Sequence, residues 1–385
     1  MPKTQQKIAL VHDYLREYGG AERVLEALHE MYPEAPLYTA FVDQKQLGIH
    51  WQRFATWDIK TTWIMKIPGY KWLYSPLRIW APNYFSSLDL SEYDVVISSS
   101  NAYFAKAVRV PNGKHICYCH TPARSLYGYT TMSNWRSNPI IRLIGTLINH
   151  YLRVVDYYVA QKVGYFIANS QETAQRITKF YRRKSHIIYP PVHIPDKSPS
   201  SKVARSYYLY VNRLALAKHP ELAVRVCTKH KLSLKVVGTG KMLVGLRKIA
   251  GPTVQFCGAV SDVQLSKLYG GAKALLYPVE DEDFGIVPVE AMAHGVPVIA
   301  HNSGGPCETV VSGKTGILFE NLTESDLWQA IQEVDKMSFD VTYLYRYAQQ
   351  FSLAEFKKNM RAFVTQIACI ILTFAMSSGA IGRIN

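Results

Sequence analysis

The sequence has few cysteines and no long apolar run, and both absences narrow the class of protein. Its six cysteines are scattered through 385 residues, and four of them lie in apolar runs where a thiol behaves as a small hydrophobic group. This distribution predicts a reducing, cytoplasmic environment. The chain starts with a polar stretch, Met1 to Lys7, that lacks the apolar core of a signal peptide. The apolar part of the tail, Ile367 to Met376, has about half of the ~20 residues of a spanning helix, which predicts a packed terminal helix.

Two further absences exclude specific cofactor sites. Cys117, Cys119 and His120 stand too close together for the usual two-residue gap of a zinc cluster, and no matching second pair exists in the sequence. A nicotinamide-dependent dehydrogenase would carry a complete Gly-x-Gly-x-x-Gly fingerprint after its first strand, whereas this chain has only the pair Gly19-Gly20 there. We therefore expect neither a zinc ion nor a nicotinamide cofactor.

Acidic residues are scarce relative to basic ones. The formal net charge is +15, and the first 195 residues hold 23 Lys and Arg against 13 Asp and Glu. A basic surface attracts phosphates, nucleic acid or anionic lipid headgroups. The binding partner of this charge is therefore expected to meet the first half of the chain.

Short apolar runs alternate with helical patterns along the whole chain, which is typical of parallel α/β sheets. The predicted strands are 7–11, 94–98, 115–119, 165–168, 207–211, 233–237, 253–257, 274–278 and 296–300. A Pro- and Ser-rich stretch, Pro190 to Ser206, interrupts the pattern with linker composition. We predict an α/β protein with an N-terminal domain over residues 1–191, a C-terminal domain over residues 207–350 and a final helix within residues 351–385. Two such domains face a shared cleft, where ligands bind.

The most informative segment of the sequence runs from Glu282 to Glu290. A strand ends near Pro278, Gly285 permits a tight turn, and Pro288 suits the first turn of a helix that contains Glu290. The free amides of this helix start form an anion site suited to a diphosphate, and the two carboxylates suit hydroxyl groups. A nucleotide sugar combines both chemistries. An acidic loop that merely caps a helix is the structural alternative.

A second group of residues follows the strand 207–211. Arg213 and Lys218 stand five positions apart at a strand end and the next helix start. Arginine binds a phosphate through two hydrogen bonds and lysine acts as a point charge. Two solvated surface cations are the alternative for this pair taken alone.

Together these motifs resemble the GT-B glycosyltransferases of family 4, whose signature is two glutamates separated by seven residues around Phe-Gly. The resemblance implies two Rossmann-like domains facing a central cleft and a C-terminal helix that returns to the first domain. It implies that Glu282 contacts hydroxyls of the donor sugar, that Glu290 contacts the ribose, and that Arg213 and Lys218 hold the diphosphate. The family commonly has Gly after this Lys, whereas His219 and Pro220 stand here.

The resemblance also assigns residues in the first domain. The family has a histidine at the position of His120 that reaches the donor sugar near the reacting carbon, and a Gly-rich turn at Gly19-Gly20 against the donor phosphate and the acceptor. The catalytic residues implied are His120, Arg213, Lys218 and Glu282. The donor-binding residues implied are Gly19, Gly20, Arg213, Lys218, Gly238, Phe284, Gly285, Ile286, Val287 and Glu290.

The reaction implied by the resemblance is a retaining sugar transfer that needs neither a cofactor nor a metal ion, because protein cations neutralise the diphosphate. The segments 11–14 and 19–23 resemble those of bacterial polysaccharide mannosyltransferases, which makes GDP-mannose the first expected donor and a UDP-sugar the second. The alternative for the run Glu280 to Asp283 is a Mg²⁺ site. A nucleic-acid-binding or sugar-binding protein without catalysis is the alternative of another class.

One segment, Gln44 to Leu88, contains five of the seven tryptophans interleaved with cations. Such a pattern suits a membrane interface, and it would also suit single-stranded nucleic acid or a mixed region of core and surface. We expect acceptor or membrane contact at Trp63, Lys66, Lys71, Trp72 and Arg78. The family resemblance adds a glycan or polyprenyl-diphosphate-linked acceptor, with peripheral contact at the inner face of the plasma membrane.

Overall fold

The computed structural model describes residues 6–129, 139–199 and 204–381 as two α/β domains. Parts of the predicted polar start, linker and tail therefore lie outside the described residues. The strands of the first domain are β1 Ile8–His12, β2 Leu37–Thr39, β3 Ile59–Thr61, β4 Val95–Ser100, β5 Lys114–Cys119, β6 Tyr165–Ala168 and β7 Ser185–Ile187. Its helices are α1 Gly20–Met31, α2 Gln44–Leu47, α3 Tyr70–Leu77, α4 Ala81–Ser86, α5 Pro139–Lys162 and α6 Gln171–Tyr181.

The second domain follows the same alternation. Its strands are β8 Tyr207–Val211, β9 Leu234–Val237, β10 Val254–Gly258, β11 Ala272–Tyr277, β12 Val298–His301 and β13 Gly316–Phe319. Its helices are α7 Pro220–Lys229, α8 Leu243–Ile249, α9 Asp262–Gly270, α10 Ile286–Ala293, α11 Pro306–Thr309, α12 Glu324–Lys336 and α13 Val341–Ala348. A final helix, α14 Leu353–Ile381, completes the described chain.

Both sheets are parallel and doubly wound. The first has the strand order β3-β2-β1-β4-β5-β6-β7 and the second β10-β9-β8-β11-β12-β13, with parallel pairing throughout. The strands are apolar because helices cover both faces of each sheet, as parallel sheets require. The strand order reverses beside β1 in one domain and beside β8 in the other, and ligands of such folds bind outside the carboxyl ends of the strands at this point. The predicted fold class of two Rossmann-like α/β domains is confirmed.

The last helix packs on the first domain. Phe356, Met360, Val364 and Ile367 of α14 are buried in the same apolar cluster as residues of α1. Val192, in the predicted linker, pairs with Ser352, so the chain leaves the first domain beside the point where it returns. Among the helices in the described part of the chain, none combines the length and the hydropathy required for a bilayer crossing.

The tryptophan-rich segment divides between core and surface. Trp51 and Trp57 pack against the apolar cluster under α1, and Trp57 stacks on His29 with ring centroids 3.7 Å apart. Trp63, Trp72 and Trp80 remain exposed, and Trp72 is the most exposed of the three at 87%. The alternation of rings and cations therefore describes a surface only in the second part of this segment.

Candidate active site

A cleft of about 1020 Å³ lies between the two domains. Both domains contribute to its walls. The residues from the first domain that matter below are His12, Gly19, Gly20, Glu22, Arg23, Arg78, His120 and Arg124. Those from the second domain are Arg213, Lys218, Glu282, Asp283, Phe284, Gly285, Ile286, Val287 and Glu290. The predicted site residues thus converge on one cavity, with the exceptions described below.

The segment from Glu282 to Glu290 forms a turn that directs a helix start into the cleft. Gly285 has φ +86°, a left-handed conformation that favours glycine because it lacks a Cβ. The helix α10 begins at the next residue, and no side chain of the described residues caps its N-terminus. The unfilled amides of this first turn provide partial positive charge toward the cleft wall.

Glu282 is held by a cation and a phenol. Lys218 Nζ donates to Glu282 Oε2, and Tyr277 OH donates to the same oxygen at 2.8 Å. Burial by itself would raise the pKa of Glu282, but the Lys218 ammonium and the Arg124 guanidinium outweigh it and lower the pKa to about 2. Glu282 is therefore an anion engaged in strong hydrogen bonds at neutral pH.

Replacing Glu282 with glutamine is expected to reduce the fall of the unfolding free energy at acidic pH. Because its folded-state pKa is depressed, ionised Glu282 stabilises the fold above the ordinary value of 4.5, and this contribution is lost as pH falls through about 2. This lowering of the pKa of Glu282 corresponds to a loss of unfolding free energy on the order of 3 kcal/mol. Denaturant titrations between about pH 5 and pH 3 should show a steeper fall in unfolding free energy for wild type than for Glu282→Gln. If the unfolding free energy fell equally steeply with pH in the two proteins, the lowered pKa of Glu282 would be contradicted.

Glu290 pairs with a residue of the opposite domain. Arg23 Nη1, on α1, donates to Glu290 Oε1 at 2.5 Å, and Tyr269 OH donates to Oε2 at 3.1 Å. Burial would lower the pKa of Arg23, but the Glu290 carboxylate raises it above its ordinary value. The carboxylate therefore bridges the two domains at the floor of the cleft.

The other predicted cation also reaches across the cleft. Arg213 Nη2 donates to Glu17 Oε2 of the first domain at 2.8 Å, and both side chains are about half exposed. The charges of Arg213, Lys218, Glu282 and Glu290 are thus balanced by protein partners. A ligand that carries both phosphates and hydroxyl groups could replace these partners without leaving an isolated charge.

Next to the cleft, hydrogen bonds and ion pairs hold the acidic loop Glu280 to Asp283 against the first domain. Arg176 and Arg124 both donate to the carbonyl of Asp281, and Arg176 also pairs with Asp283 and with Glu172 at 2.8 Å. Ser170 Oγ donates to the carbonyl of Asp283 at 2.5 Å. The carboxylate of Asp283 is therefore committed to guanidinium groups, which disfavours the alternative that the run 280–283 holds Mg²⁺.

His120 follows strand β5 and lines the cleft from the side opposite Glu282. Its Nε2 lies 2.8 Å from the buried Ser99 Oγ. Burial, with a smaller contribution from His12, lowers the pKa of His120 to about 3. The ring is consequently neutral at physiological pH and serves as a hydrogen-bonding group rather than a cation.

The remaining predicted donor residues are placed differently. Gly20 lines the cleft at the start of α1, and a Cβ there would lie 2.9 Å from the end of the Ile286 side chain. Phe284 lines the cleft, and its ring packs against Tyr189 and Phe351. Gly238 is not among the cleft residues, and its lack of a side chain has a local cause: a Cβ would lie 1.9 Å from the carbonyl oxygen of Asn212.

The predicted acceptor or membrane residues fall into two groups. Trp63, Lys66, Lys71 and Trp72 lie on the surface. Arg78 instead forms part of the cleft wall, where it donates to Ser125 Oγ at 2.9 Å and to Asn149 Oδ1 at 3.1 Å. Desolvation lowers its pKa from the ordinary value of arginine. The placement of Arg78 therefore favours contact with a ligand in the cleft over contact with a bilayer.

Several site residues were not predicted as such from the sequence. Glu17, Arg23 and Arg124 line the cleft and contact residues far away along the chain. Glu22 and Ser99 both contact His12, from ten and 87 residues away. Arg23 stands three positions after Gly19-Gly20, and Arg124 stands four positions after His120. Their position beside these motifs was the available signal.

The two Rossmann-like domains and the charged cleft between them have the architecture of GT-B glycosyltransferases. A family model described as "Glycosyl transferases group 1" matches residues 195–351, which cover the sheet of the second domain and the Glu282 to Glu290 segment. This match agrees with the placement of the charged cleft residues at the carboxyl ends of the strands.

Several related proteins are known as mannosyltransferases. The chain is 26% identical over 406 residues to "Alpha-1,3/1,6-mannosyltransferase ALG2" of Mus musculus, covering 91% of this chain and 94% of that protein. It is 27% identical over 284 residues to the ALG2 protein of Kluyveromyces lactis, covering 60% of this chain and 54% of that protein. It is 37% identical over 111 residues to "GDP-mannose-dependent alpha-mannosyltransferase" of Mycolicibacterium smegmatis, covering 29% of each chain. The chain thus spans about half or less of the length of the latter two relatives.

Solved structures share the architecture. The Anabaena protein HepE, solved in complex with UDP and glucose, superposes with a TM-score of 0.68 at 18% identity, covering 94% of this chain and 100% of that one. At this identity the likeness concerns the fold.

Proposed function

We propose that the chain transfers a mannosyl residue from GDP-mannose, with retention of configuration, to a glycan or a polyprenyl-diphosphate-linked saccharide in bacterial polysaccharide synthesis, as a member of family 4. The observation that carries this proposal is the grouping of Glu282, Glu290, Lys218 and Arg213 around the start of α10. Two carboxylates and two cations at one helix N-terminus match a ligand made of a sugar, a diphosphate and a ribose.

Each group of the donor has a counterpart in the cleft. The diphosphate lies against Lys218, Arg213 and the first-turn amides of α10, which neutralise the charge that develops as it leaves. The ribose hydroxyls bind Glu290, and a hydroxyl of the transferred sugar binds Glu282. The acceptor enters from the side of Arg78 and α5, whose residues Ile148 and Asn149 complete the first-domain wall.

We propose that retention follows from same-face attack without a covalent intermediate. The bond between the anomeric carbon and the diphosphate oxygen breaks, the acceptor hydroxyl forms the new bond on the same face, and its proton passes to the leaving phosphate. A carboxylate with a pKa of about 2, held by Lys218 and Tyr277, is a weak nucleophile. Glu282 therefore binds sugar and does not form a glycosyl-enzyme.

The identity of the donor is best tested with a panel of nucleotide sugars. We expect hydrolysis and a rise in melting temperature with GDP-mannose and little effect with UDP-sugars, and NMR of the product should show the anomeric configuration of the donor. Activity with a UDP-sugar in place of GDP-mannose would show that the proposed donor is wrong. Binding without turnover of any donor and acceptor would favour a sugar-binding protein, and wild-type activity in Glu290→Ala would contradict the ribose assignment.

Removal of divalent metal ions is expected to leave transfer unchanged. Lys218, Arg213 and the start of α10 supply the positive charge that Mg²⁺ supplies to diphosphates elsewhere. The measurement is initial rate before and after dialysis against EDTA, with Mg²⁺ or Mn²⁺ added back. A loss of activity that one of these ions restores would contradict the proposal.

We also propose that the first domain contacts an anionic bilayer peripherally, at the cytoplasmic face of the plasma membrane. The contact surface is an apolar rim beside the cleft, formed by the exposed side chains of Trp63, Trp72, Leu73, Leu143, Ile144 and Leu147. Lys66, Lys71 and Arg142 are exposed on the same segments. Ile144 also lines the cleft, so a lipid-linked acceptor could pass from the rim into the site.

Negative charge introduced on this rim is expected to weaken binding to vesicles that contain phosphatidylglycerol. Trp72→Glu and Leu147→Glu should each lower the partition coefficient by about tenfold or more, because each removes apolar contact and repels anionic lipid. Val244→Glu is the matched control, since Val244 is a 70% exposed apolar residue of the other domain. Sedimentation with vesicles measures the effect. Unchanged binding of both rim variants would contradict this surface.

A further inference from the structure

Four buried side chains form a continuous hydrogen-bonded row in the first-domain wall of the cleft. His12 Nε2 lies 3.4 Å from Glu22 Oε1, and His12 Nδ1 lies 3.0 Å from Ser99 Oγ. Ser99 Oγ in turn lies 2.8 Å from His120 Nε2. All four residues are buried, and the row joins the start of α1 to the ends of β1, β4 and β5.

The carboxylate at one end determines the direction of every bond in the row. Glu22 Oε2 accepts from the Gly19 amide at 2.8 Å, and a carboxylate at this helix start can only accept hydrogen bonds. His12 Nε2 must therefore carry the proton. In a neutral imidazole this leaves Nδ1 of His12 as an acceptor, as in the carboxylate–histidine–hydroxyl arrangement of hydrolases.

The donor and acceptor roles at His12 then determine those of Ser99 and His120. The single hydroxyl proton of Ser99 points to His12 Nδ1, so Ser99 can only accept from His120 Nε2. A neutral His120 with its proton on Nε2 has an unprotonated Nδ1. This nitrogen has no hydrogen-bond partner among the described residues, and His120 lines the cleft. The low pKa of His120, about 3 as a result of burial and of His12, agrees with a single proton on the ring.

We propose that Glu22, His12 and Ser99 are positioning residues that hold His120 in the Nε2-protonated tautomer, so that His120 accepts a hydrogen bond from a hydroxyl group of the transferred sugar. This inference rests on the proposed sugar transfer for the identity of the ligand. It assigns to His120 a preference for a hydroxyl that can donate. Ser99 does not act as a nucleophile, because it is only 1% exposed and its proton is engaged.

The variant Glu22→Gln should reverse the whole row. The Gly19 amide retains the side-chain oxygen of the introduced glutamine, which turns the amide NH₂ of that side chain toward His12 Nε2. That nitrogen must then accept, His12 Nδ1–H donates to Ser99, and Ser99 donates to His120 Nε2. His120 is left with its proton on Nδ1, three groups away from the substitution.

The test is the tautomer of His120, read from the side-chain ¹⁵N shifts of protein labelled in histidine and assigned with His120→Gln. We expect the Nε2–H form in wild type and the Nδ1–H form in Glu22→Gln. If Glu22→Gln does not fold, Ser99→Ala is measured instead, and it should produce a mixture of the two His120 tautomers. The Nδ1–H form in wild type, a doubly protonated His12, or an unchanged tautomer in the variants would overturn the proposal.

The chain supplies a matched control on the same strand. Ser98 Oγ lies 2.8 Å from the buried His115 Nε2, on the opposite face of the sheet. Ser98→Ala removes a comparable buried hydrogen bond without touching the row. It should leave the tautomer of His120 unchanged, so an effect common to both serine variants would indicate a structural role alone and would overturn the proposal.

A second readout uses monofluorinated forms of the donor sugar, because fluorine cannot donate a hydrogen bond. At one position of the sugar, fluorine should weaken binding to wild type by about tenfold, and by less than about threefold in Glu22→Gln. Equal losses in the two proteins would overturn the acceptor role of His120. The tautomer measurement needs no substrate, so the predicted tautomer in a protein without transferase activity would refute the proposed function and not the row.

Discussion

Replacement of Lys218 by alanine is expected to lower kcat/KM by about 10³-fold, a loss comparable to removing one donor from a preorganised oxyanion site. Lys218 is buried at the carboxyl edge of the second sheet and binds Glu282 in the free protein. In the transition state its ammonium faces the departing diphosphate, where positive charge is most effective. The measurement is steady-state kinetics with the donor identified by the nucleotide-sugar panel.

Three comparisons separate this effect from a loss of folding. Lys218→Arg keeps the positive charge and should retain more activity than Lys218→Ala. Arg213→Ala should lose less than Lys218→Ala, because Arg213 is 45% exposed and water partly screens its charge. The melting temperature of Lys218→Ala reports the cost of leaving Glu282 unpaired. A well-folded Lys218→Ala protein within tenfold of wild-type kcat/KM would refute the role of Lys218.

Replacement of Lys106 by methionine is expected to destabilise the protein by about 3–5 kcal/mol, because it leaves a buried carboxylate without its cation. Lys106 Nζ lies 2.6 Å from Asp156 Oδ1, and both side chains are buried in the first domain. Tyr127 and Tyr181 donate to the other oxygen of Asp156 at 2.9 and 2.8 Å. Burial would lower the pKa of Lys106, but Asp156 raises it overall. Equilibrium denaturation measures the change.

The double variant Lys106→Met with Asp156→Asn is the decisive control. An asparagine oxygen can still accept from the two tyrosines, and no unpaired charge remains, so most of the lost stability should return. Lys358→Met, which breaks the exposed pair with Glu355, should change stability by less than about 0.5 kcal/mol. If Lys106→Met were as mild as Lys358→Met, the buried pair would not be stabilising.

Sequence patterns predicted the elements that are long and apolar, and they missed short ones. The central strands β1, β4, β5, β6, β8 and β11 were predicted to within one or two residues, because each is an apolar run covered on both faces. Strands β2, β3 and β7 have three residues each, which is too few for a periodic signal. Their pairing with β1, β2 and β6 comes from the sheet already formed beside them.

The tryptophan-rich segment shows the same limit at the level of single residues. Spacing along the chain does not distinguish Trp57, which packs over His29, from Trp72, which is exposed. Likewise, nothing near Arg78 in the sequence indicates that Ser125 and Asn149 would draw it into the cleft wall. Burial depends on contacts between segments that are far apart in the chain.

The sequence by itself determined the parts of the site whose geometry is local. The turn at Gly285, the start of α10 and the spacing of Glu282 and Glu290 follow from residues within one strand–loop–helix unit. Only the tertiary structure decided which charges face each other across the cleft: Glu290 with Arg23, and Arg213 with Glu17. The physical reason is that a side chain's partner across the cleft is set by how two separately formed sheets are placed together, which no local pattern records.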